Sequence, residues 1–387
     1  MLWINFLHFY QPATVDKETV IEATEKSYRR IIGALKRNPR IRFTANFSSS
    51  LLEKWHELNY KDLITDINGL VRRGQIELVG SAAYHPLLPF LPAGEIKRQI
   101  SLQNAALKNY FGQNLKLQGF FIPEATYDRR VAKLVKSEGF RWTILDEISA
   151  GRLANGLDYR RRYRDHYSRL TLVLRSRLLS RCYVPQEIKR LLTEGRTDIV
   201  ITASDAELYG LRHNDVSANF EKILKQPALT TKTVSQYIAE TGKTAIIRPI
   251  DSSWESTAAE LKRGVPYHLW RDPKNKIQTK LWELAELALK TVNRYPRDNN
   301  FRWARAHLDK GLSSCTFWWA SGQNLRQLFG PVCWNPDEIE RGLNELIRSI
   351  RTLDDATTRE TKIKAEKLYI SVKRMIWQKH WRYYWKK

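Results

Sequence analysis

Cysteine is scarce in this sequence. Cys182, Cys315 and Cys333 are odd in number and widely spaced, so they build no disulfide framework and point to a reducing, cytoplasmic setting. Long apolar runs are missing as well: none approaches the ~18–20 residues of a membrane span. The first residues, MLWINFLHFYQP, lack the basic n-region and small-residue cleavage site of a signal peptide and read instead as a strand. Phosphate-binding glycine loops are absent. No G-x-G-x-x-G follows the first strand-like run and no G-x-x-x-x-G-K-[ST] occurs anywhere, which removes the usual nucleotide-binding reason for an α/β chain. The histidines hold no ligand-spaced pair, the nearest two being His56 and His85.

Acids are outnumbered. Lys plus Arg is 65, Asp plus Glu is 41, and the net charge is +24. That excess attracts nucleic acid or other polyanions weakly, without any specific site. The densest cluster is RRRYR (160–164), followed by Arg169, Arg175, Arg177 and Arg181. It reads as a solvated basic excursion between strands, with a polyanion patch as the alternative. The chain has 387 residues, 42% hydrophobic and 27% charged, enough for one large folded domain and a smaller one.

The first 210 residues alternate strand-like and helix-like stretches. Strands are expected at 3–10, 42–47, 75–81, 117–123, 141–146, 171–176 and 198–204, with helices at 16–37, 60–73, 93–110 and 127–138. Such alternation argues for parallel strands joined by crossover helices, and without a nucleotide loop a barrel close to the (β/α)8 type fits best. After about residue 270 the pattern becomes helical, at 276–293, 300–317, 336–353 and 357–384. The predicted division is a barrel over 1–270 and a C-terminal helical bundle over 271–387. The aromatic and basic residues of the last segment, YISVKRMIWQKHWRYYWKK, suit a final helix docking its aromatics on the barrel.

In a parallel barrel, chemistry sits at the C-terminal strand ends. His8, Tyr10 and Gln11 follow the first strand, and Tyr84 and His85 the third, which carries Glu77 inside it. Glu124 follows the fourth, and Asp205 and Glu207 the last. Glu124 stands out because GFFIP, an apolar run, leads straight to it. Two carboxylates from different strands suit hydrolysis of a glycosidic bond: one protonates the leaving oxygen, the other attacks or activates water.

The sequence resembles glycoside hydrolase family 57, whose retaining enzymes act on α-glucans as α-amylases, 4-α-glucanotransferases and branching enzymes. The family's opening His-x-His-Gln-Pro stands here as His8-Phe9-Tyr10-Gln11-Pro12. GQIELVGSAAYHPLLP (74–89), GFFIPEATYD (119–128), SDAELYG (204–210) and the tryptophan-bearing DSSWESTAAELKRGVPYHLWRDPKN (251–275) follow in the family's order, and SCTFWWASG (314–322) is also family-like. The resemblance implies an incomplete (β/α)7 TIM-like barrel followed by an α-helical bundle, with Glu124 as nucleophile and Asp205 as general acid/base. His8, Gln11, Glu77, His85, Glu207 and Trp254 are implied around an oligo- or polysaccharide. Trp318 and Trp319 are candidate sugar platforms. No metal or cofactor is implied. Retention predicts carboxyl groups ~5–5.5 Å apart, and the acid role calls for Asp205 to be buried beside other acids.

Two departures stand out. Tyr10 replaces the family's second histidine; a phenol bonds a sugar hydroxyl or packs, but carries no charge at pH 7. His213 stands where bulky tryptophans often follow the fourth motif. Two other functions remain open on this barrel type: a metal-dependent polysaccharide deacetylase, which wants an Asp with paired histidines, and a non-catalytic glycan- or nucleic-acid-binding protein.

Overall fold

A computed structural model describes residues 1–322, 333–354 and 356–384. The chain divides into two compact units. The first comprises Met1–Gln11, Asp16–Ala83 and Leu88–Ala258; the second comprises Pro12–Val15, Tyr84–Leu87 and Ala259–Lys387. No helix among the described residues is long and apolar enough to cross a membrane.

The first unit is α/β. Its strands are β1 (Leu2–Phe9), β2 (Phe43–Phe47), β3 (Ile76–Leu78), β4 (Gly119–Phe120), β5 (Trp142–Asp146), β6 (Arg162–Asp165), β7 (Thr171–Arg175), β8 (Ile199–Asp205), β9 (Thr230–Thr231) and β10 (Thr244–Ile247). One sheet runs β3-β2-β1-β8, with β9 also paired to β1, and the other runs β10-β6-β7-β5-β4. The strands pair in parallel except β6 with β7. Backbone bonds link the sheets at two places: Gly80 N–H to Gly119 O (2.9 Å) with Phe121 N–H to Gly80 O (2.8 Å), and Ser176 N–H to Ile201 O (2.8 Å).

The seven expected strands are present, two of them much shorter. The runs expected over 75–81 and 117–123 reduce to three and two paired residues. Gly119 belongs to the shortest for a steric reason: a Cβ there would lie 2.1 Å from the ring of Trp142. β6, β9 and β10 were not expected. β6 lies within the arginine cluster, where Tyr163 and Asp165 point inward and Arg162 and Arg164 outward. Dense charge conceals that two-residue period.

Crossover helices begin at side-chain caps. Asp16 accepts from Thr19 N–H (2.9 Å), Ser48 from Leu51 N–H (3.3 Å) and Asp128 from Val131 N–H (2.9 Å), each satisfying an orphan donor of the first turn. The helix expected over 16–37 is interrupted. Between Lys17–Ala23 and Arg29–Arg37 the chain widens into a π-helical turn, Thr24–Tyr28, a feature common at functional sites. It abuts the turn after β8: Ser27 Oγ donates to Ala206 O, and Gly210 lies so close to Lys26 O that a Cβ would sit 2.1 Å from it.

Among its described residues the second unit has no strand. Its main helices are Lys276–Arg294, Phe301–Gly311, Ser314–Trp318, Pro336–Arg351 and Arg359–Tyr384. In the first, Leu281, Leu284, Ala285, Ala288, Leu289 and Val292 are all buried, as the 3.6-residue period requires. The helix expected over 300–317 breaks because Ser313 is extended (φ −49°, ψ 139°). In the last helix Trp377 donates to Glu340 and Trp381 is 52% exposed; residues 385–387 of that segment lie outside the described residues.

Candidate active site

Alternate residues along the strands of the first unit line one apolar core. Ile4 and Phe6 of β1, Ile201 and Ala203 of β8, Trp142 and Ile144 of β5 and Val173 of β7 belong to it, with Val79, Phe121 and Trp254. Continue each row by two residues toward the C-terminal strand end and it becomes polar: His8, Asp205, Asp146 and Arg175. Asn46 on β2 lies beside His8 in register. Strand periodicity therefore brings a set of functional groups to the C-terminal strand ends, beyond the apolar core.

Glu124 joins this set on a strained turn. Pro123 leaves Ile122 extended (ψ 123°), as a residue before proline prefers. Glu124 and Ala125 then take φ of 58° and 47°, left-handed values that cost a non-glycine residue free energy. The surroundings enforce them. Ala125 N–H bonds Ile122 O (2.8 Å), Tyr127 N–H bonds Ser252 O (2.7 Å), and Trp254 N–H bonds Glu124 O (3.2 Å). The indole N–H of Trp254 donates to Glu124 Oε2 at 2.9 Å.

Asp205 ends β8, where it is the register partner of His8. The His8 ring lies 4.7 Å from Phe121 and 6.2 Å from Trp254, centroid to centroid. His8 thus has Asp205 and Asn46 as its register partners on the two neighbouring strands, and the tryptophan that holds Glu124 lies near its ring. Nδ1 of His8 bonds Asn46 Oδ1 at 2.8 Å, and Tyr10 stacks on its ring at 5.4 Å.

Burial falls on Glu207 rather than Asp205. The Asp205 side chain is 26% exposed and pairs with Arg212 at 3.0 Å. Glu207 is buried, and its Oε1 accepts from Gln11 Nε2 (2.8 Å) and the Tyr28 hydroxyl (2.5 Å). Burial pushes its carboxyl up to about 7; Arg212 opposes that rise, Asp205 adds to it, and the Tyr28 hydrogen bond opposes it. The Tyr28 phenol is raised well above its ordinary value by burial and by the Glu207 charge.

The expected residues part company elsewhere. Glu77 is not brought to this set. It pairs in register with Thr44, two residues before Asn46, and its carboxylate accepts from Thr44 Oγ1 (3.0 Å), Ser235 N–H (3.0 Å) and Ser235 Oγ. It ties β2 and β3 to the helix Val234–Glu240. Gln11 is committed to Glu207 and Tyr28. His213 stacks on Tyr183 at 3.8 Å. His85, Trp318 and Trp319 belong to the second unit. There His85 is buried with φ 55°, its carbonyl accepts from Ser314 N–H (3.0 Å), and the two tryptophans meet edge to face at 4.5 Å.

Sequence reasoning missed Asn46, Tyr28, Asp146, Arg175, Arg212 and Glu255. Asn46, Asp146 and Arg175 were reachable by extending the strand-end rule to every expected strand. Tyr28 carries no local signal, because only the π-turn aims it at Glu207. Among the described residues no group of three or more His, Cys, Asp or Glu side chains is arranged to hold a metal ion.

The profile of Glycosyl hydrolase family 57 matches residues 7–249. The chain belongs to glycosyl hydrolase family 57. Alpha-amylase 1 of Dictyoglomus thermophilum is 28% identical over 141 residues, which are 36% of this chain and 20% of that one. A 4-alpha-glucanotransferase of Thermococcus litoralis is 30% identical over 157 residues, 38% of this chain and 23% of that one. The matched stretch is therefore about a fifth to a quarter of the length of those relatives. A family 57 branching enzyme of Thermococcus kodakaraensis, solved in complex with glucose, superposes with a TM-score of 0.70 over 96% of this chain and 95% of that one at 15% identity, which shows a shared fold. The profile takes in His8, Gln11, Glu124, Asp205 and Glu207 and ends before Trp254.

Proposed function

We propose that this protein is a retaining glycoside hydrolase or transglycosylase acting on α-1,4-linked glucan, with Glu124 as nucleophile and Asp205 as general acid/base. The observation that carries the reading is a pair of acids near His8: Asp205, its register partner at the end of β8, and Glu124, on the strained turn after β4 and held by the tryptophan whose ring lies 6.2 Å from that of His8. Glu124 attacks the anomeric carbon while Asp205 gives its proton to the departing glycosidic oxygen. Asp205 then takes a proton from water or an acceptor sugar hydroxyl, which displaces Glu124 and restores the original anomeric configuration. Trp254 fixes the Glu124 rotamer through Oε2, so the carboxylate meets the substrate already oriented. His8, backed by Asn46, and the Tyr10 ring supply hydrogen bonding and an aromatic surface for a sugar.

Two adjacent acids divide the labour here. Asp205, partly exposed, can meet substrate. Glu207, held by Gln11 and Tyr28, sits behind it and fixes the turn that carries it. His85, Trp318 and Trp319 are kept as candidate sugar contacts of the second unit. We read residues 1–270 as an incomplete (β/α)7 barrel, a reading supported by the parallel strands and by the bonds at Gly80 and Ser176, and residues 271–387 as a helical bundle.

The test is product analysis of maltoheptaose incubated with wild type and Glu124→Gln. The expected result is shorter maltooligosaccharides, or a ladder of shorter and longer ones, from wild type only. A ladder marks transfer. No conversion by wild type across a panel of α-glucans contradicts the reading.

A further inference from the structure

Part of the arginine cluster that the composition left as a basic surface turns inward. Arg175 ends the inward row of β7 and is 4% exposed. Its Nε bonds Asp146 Oδ2 at 2.8 Å, Nη1 bonds Ala203 O at 2.6 Å, and Nη2 bonds Trp254 O at 3.4 Å. Its guanidinium also lies 4.9 Å from the centroid of the Trp254 ring. Arg177 takes the other Asp146 oxygen at 3.0 Å and reaches Ser256 O at 2.6 Å. Arg181 pairs with Glu255 at 2.8 Å. Three arginines within one short stretch thus grip three consecutive residues, 254, 255 and 256.

The gripped segment is a tight serine turn. Ser253 N–H bonds Ser256 Oγ (2.7 Å), and Ser253 Oγ accepts from Glu255 N–H (3.2 Å) and Ser256 N–H (3.1 Å). Serine turns hold weakly on their own. This one carries the indole that bonds Glu124. A guanidinium offers a rigid fork of donors, so binding a carboxylate and a carbonyl together fixes their relative position in a way a lysine cannot.

We propose that Arg175, Arg177 and Arg181 form a clamp that seats Trp254 on Glu124, and that they are positioning residues for the nucleophile. This rests on the reading of Glu124 as nucleophile. Asp146 anchors two of the three arginines, and Glu255 is the point where the third attaches. From the buried Arg175 to the half-exposed Arg181, this end of the basic cluster serves to aim a carboxylate.

The test reads the clamp without relying on turnover. In protein labelled with 15N-tryptophan, the Trp254 indole N–H resonance is identified by its loss in Trp254→Phe. Glu124→Gln moves it upfield, because a neutral amide accepts more weakly than a carboxylate. Arg175→Lys keeps the charge and loses the fork. It is expected to move the resonance in the same direction by at least half as much, with the other indole resonances in place. On maltoheptaose its kcat is expected to fall about tenfold or more with KM within about threefold, and Arg175→Lys combined with Trp254→Phe to be no slower than Trp254→Phe alone. Arg181→Gln, at a half-exposed position that tolerates change, gives a smaller shift of the same sign and covers the case in which Arg175→Lys does not fold. A Trp254 resonance that stays put in every folded arginine variant overturns the clamp. Movement of that resonance in a protein inactive on all glucans keeps the clamp and overturns the glucan reading instead.

Discussion

His8 and Asp205 are register partners on neighbouring parallel strands, and the His8 ring also lies 6.2 Å from Trp254, whose indole holds Glu124. Both acids are thus tied to the neighbourhood of one imidazole.

The two acids should fail differently. Glu124→Gln is expected to lose about a thousandfold or more in kcat on every substrate, since no covalent intermediate can form. Asp205→Asn should lose about a hundredfold or more on maltoheptaose, yet keep most of its first-step rate on α-glucosyl fluoride, because fluoride leaves without a proton. Burst kinetics on the fluoride checks this. Equal loss on both substrates contradicts the acid role of Asp205.

Glu207 should make stability fall as pH rises. Its carboxyl stands at about 7 in the folded chain against an ordinary 4.5, so the folded state keeps a proton that the unfolded chain releases. The contribution is fully present below about pH 4.5, is lost as pH rises through about 7, and is on the order of 3 kcal/mol. Glu207→Gln still accepts from Gln11 and Tyr28 and has no proton to lose. Denaturant melts at pH 4, 6 and 8 should show the variant gaining on wild type across that window. A difference independent of pH contradicts the burial of a protonated Glu207.

Glu77 separates structure from substrate binding. Its carboxylate ties Thr44 to Ser235, so Glu77→Ala is expected to cost about 2 kcal/mol or more of stability by stranding buried donors. KM for maltoheptaose should stay within about threefold at a temperature where the variant is folded. A large KM rise in a fully folded variant returns Glu77 to the sugar site.

Gly210 has no room for a side chain. Its φ is 147°, and a Cβ would meet Lys26 O at 2.1 Å. Gly210→Ala should destabilise by about 2 kcal/mol or more and displace the turn that carries Glu207. A thermal melt compared with Gly264→Ala, where φ is 72° and no atom lies within 4 Å of the added Cβ, separates the clash from backbone strain alone. Equal losses in the two variants contradict the steric account.

Much of this architecture was legible because strand patterns are local. The apolar runs at 3–10, 42–47, 141–146 and 198–204 each form a strand, and the strand-end rule alone points at His8, Glu124 and Asp205. The rest depended on distance. Glu207 is held by Tyr28, which sits 179 residues away in sequence and reaches it through a π-turn that no composition announces. Glu77 matches a motif position, yet its bonds to Thr44 and Ser235 are tertiary. Arg175 and Arg177 read as surface charge because sequence cannot show which carbonyls and carboxylates they meet.

The measurement that bears most directly on the account is trapping with 5-fluoro-α-glucosyl fluoride. Its ring fluorine slows both chemical steps, and loss of the anomeric fluoride leaves the sugar on the nucleophile. The account predicts one fluoroglucosyl adduct per chain by intact mass, located on Glu124 by peptide sequencing and absent from Glu124→Gln. An adduct on another carboxylate, or turnover of natural α-glucan with inverted product and no adduct, contradicts it.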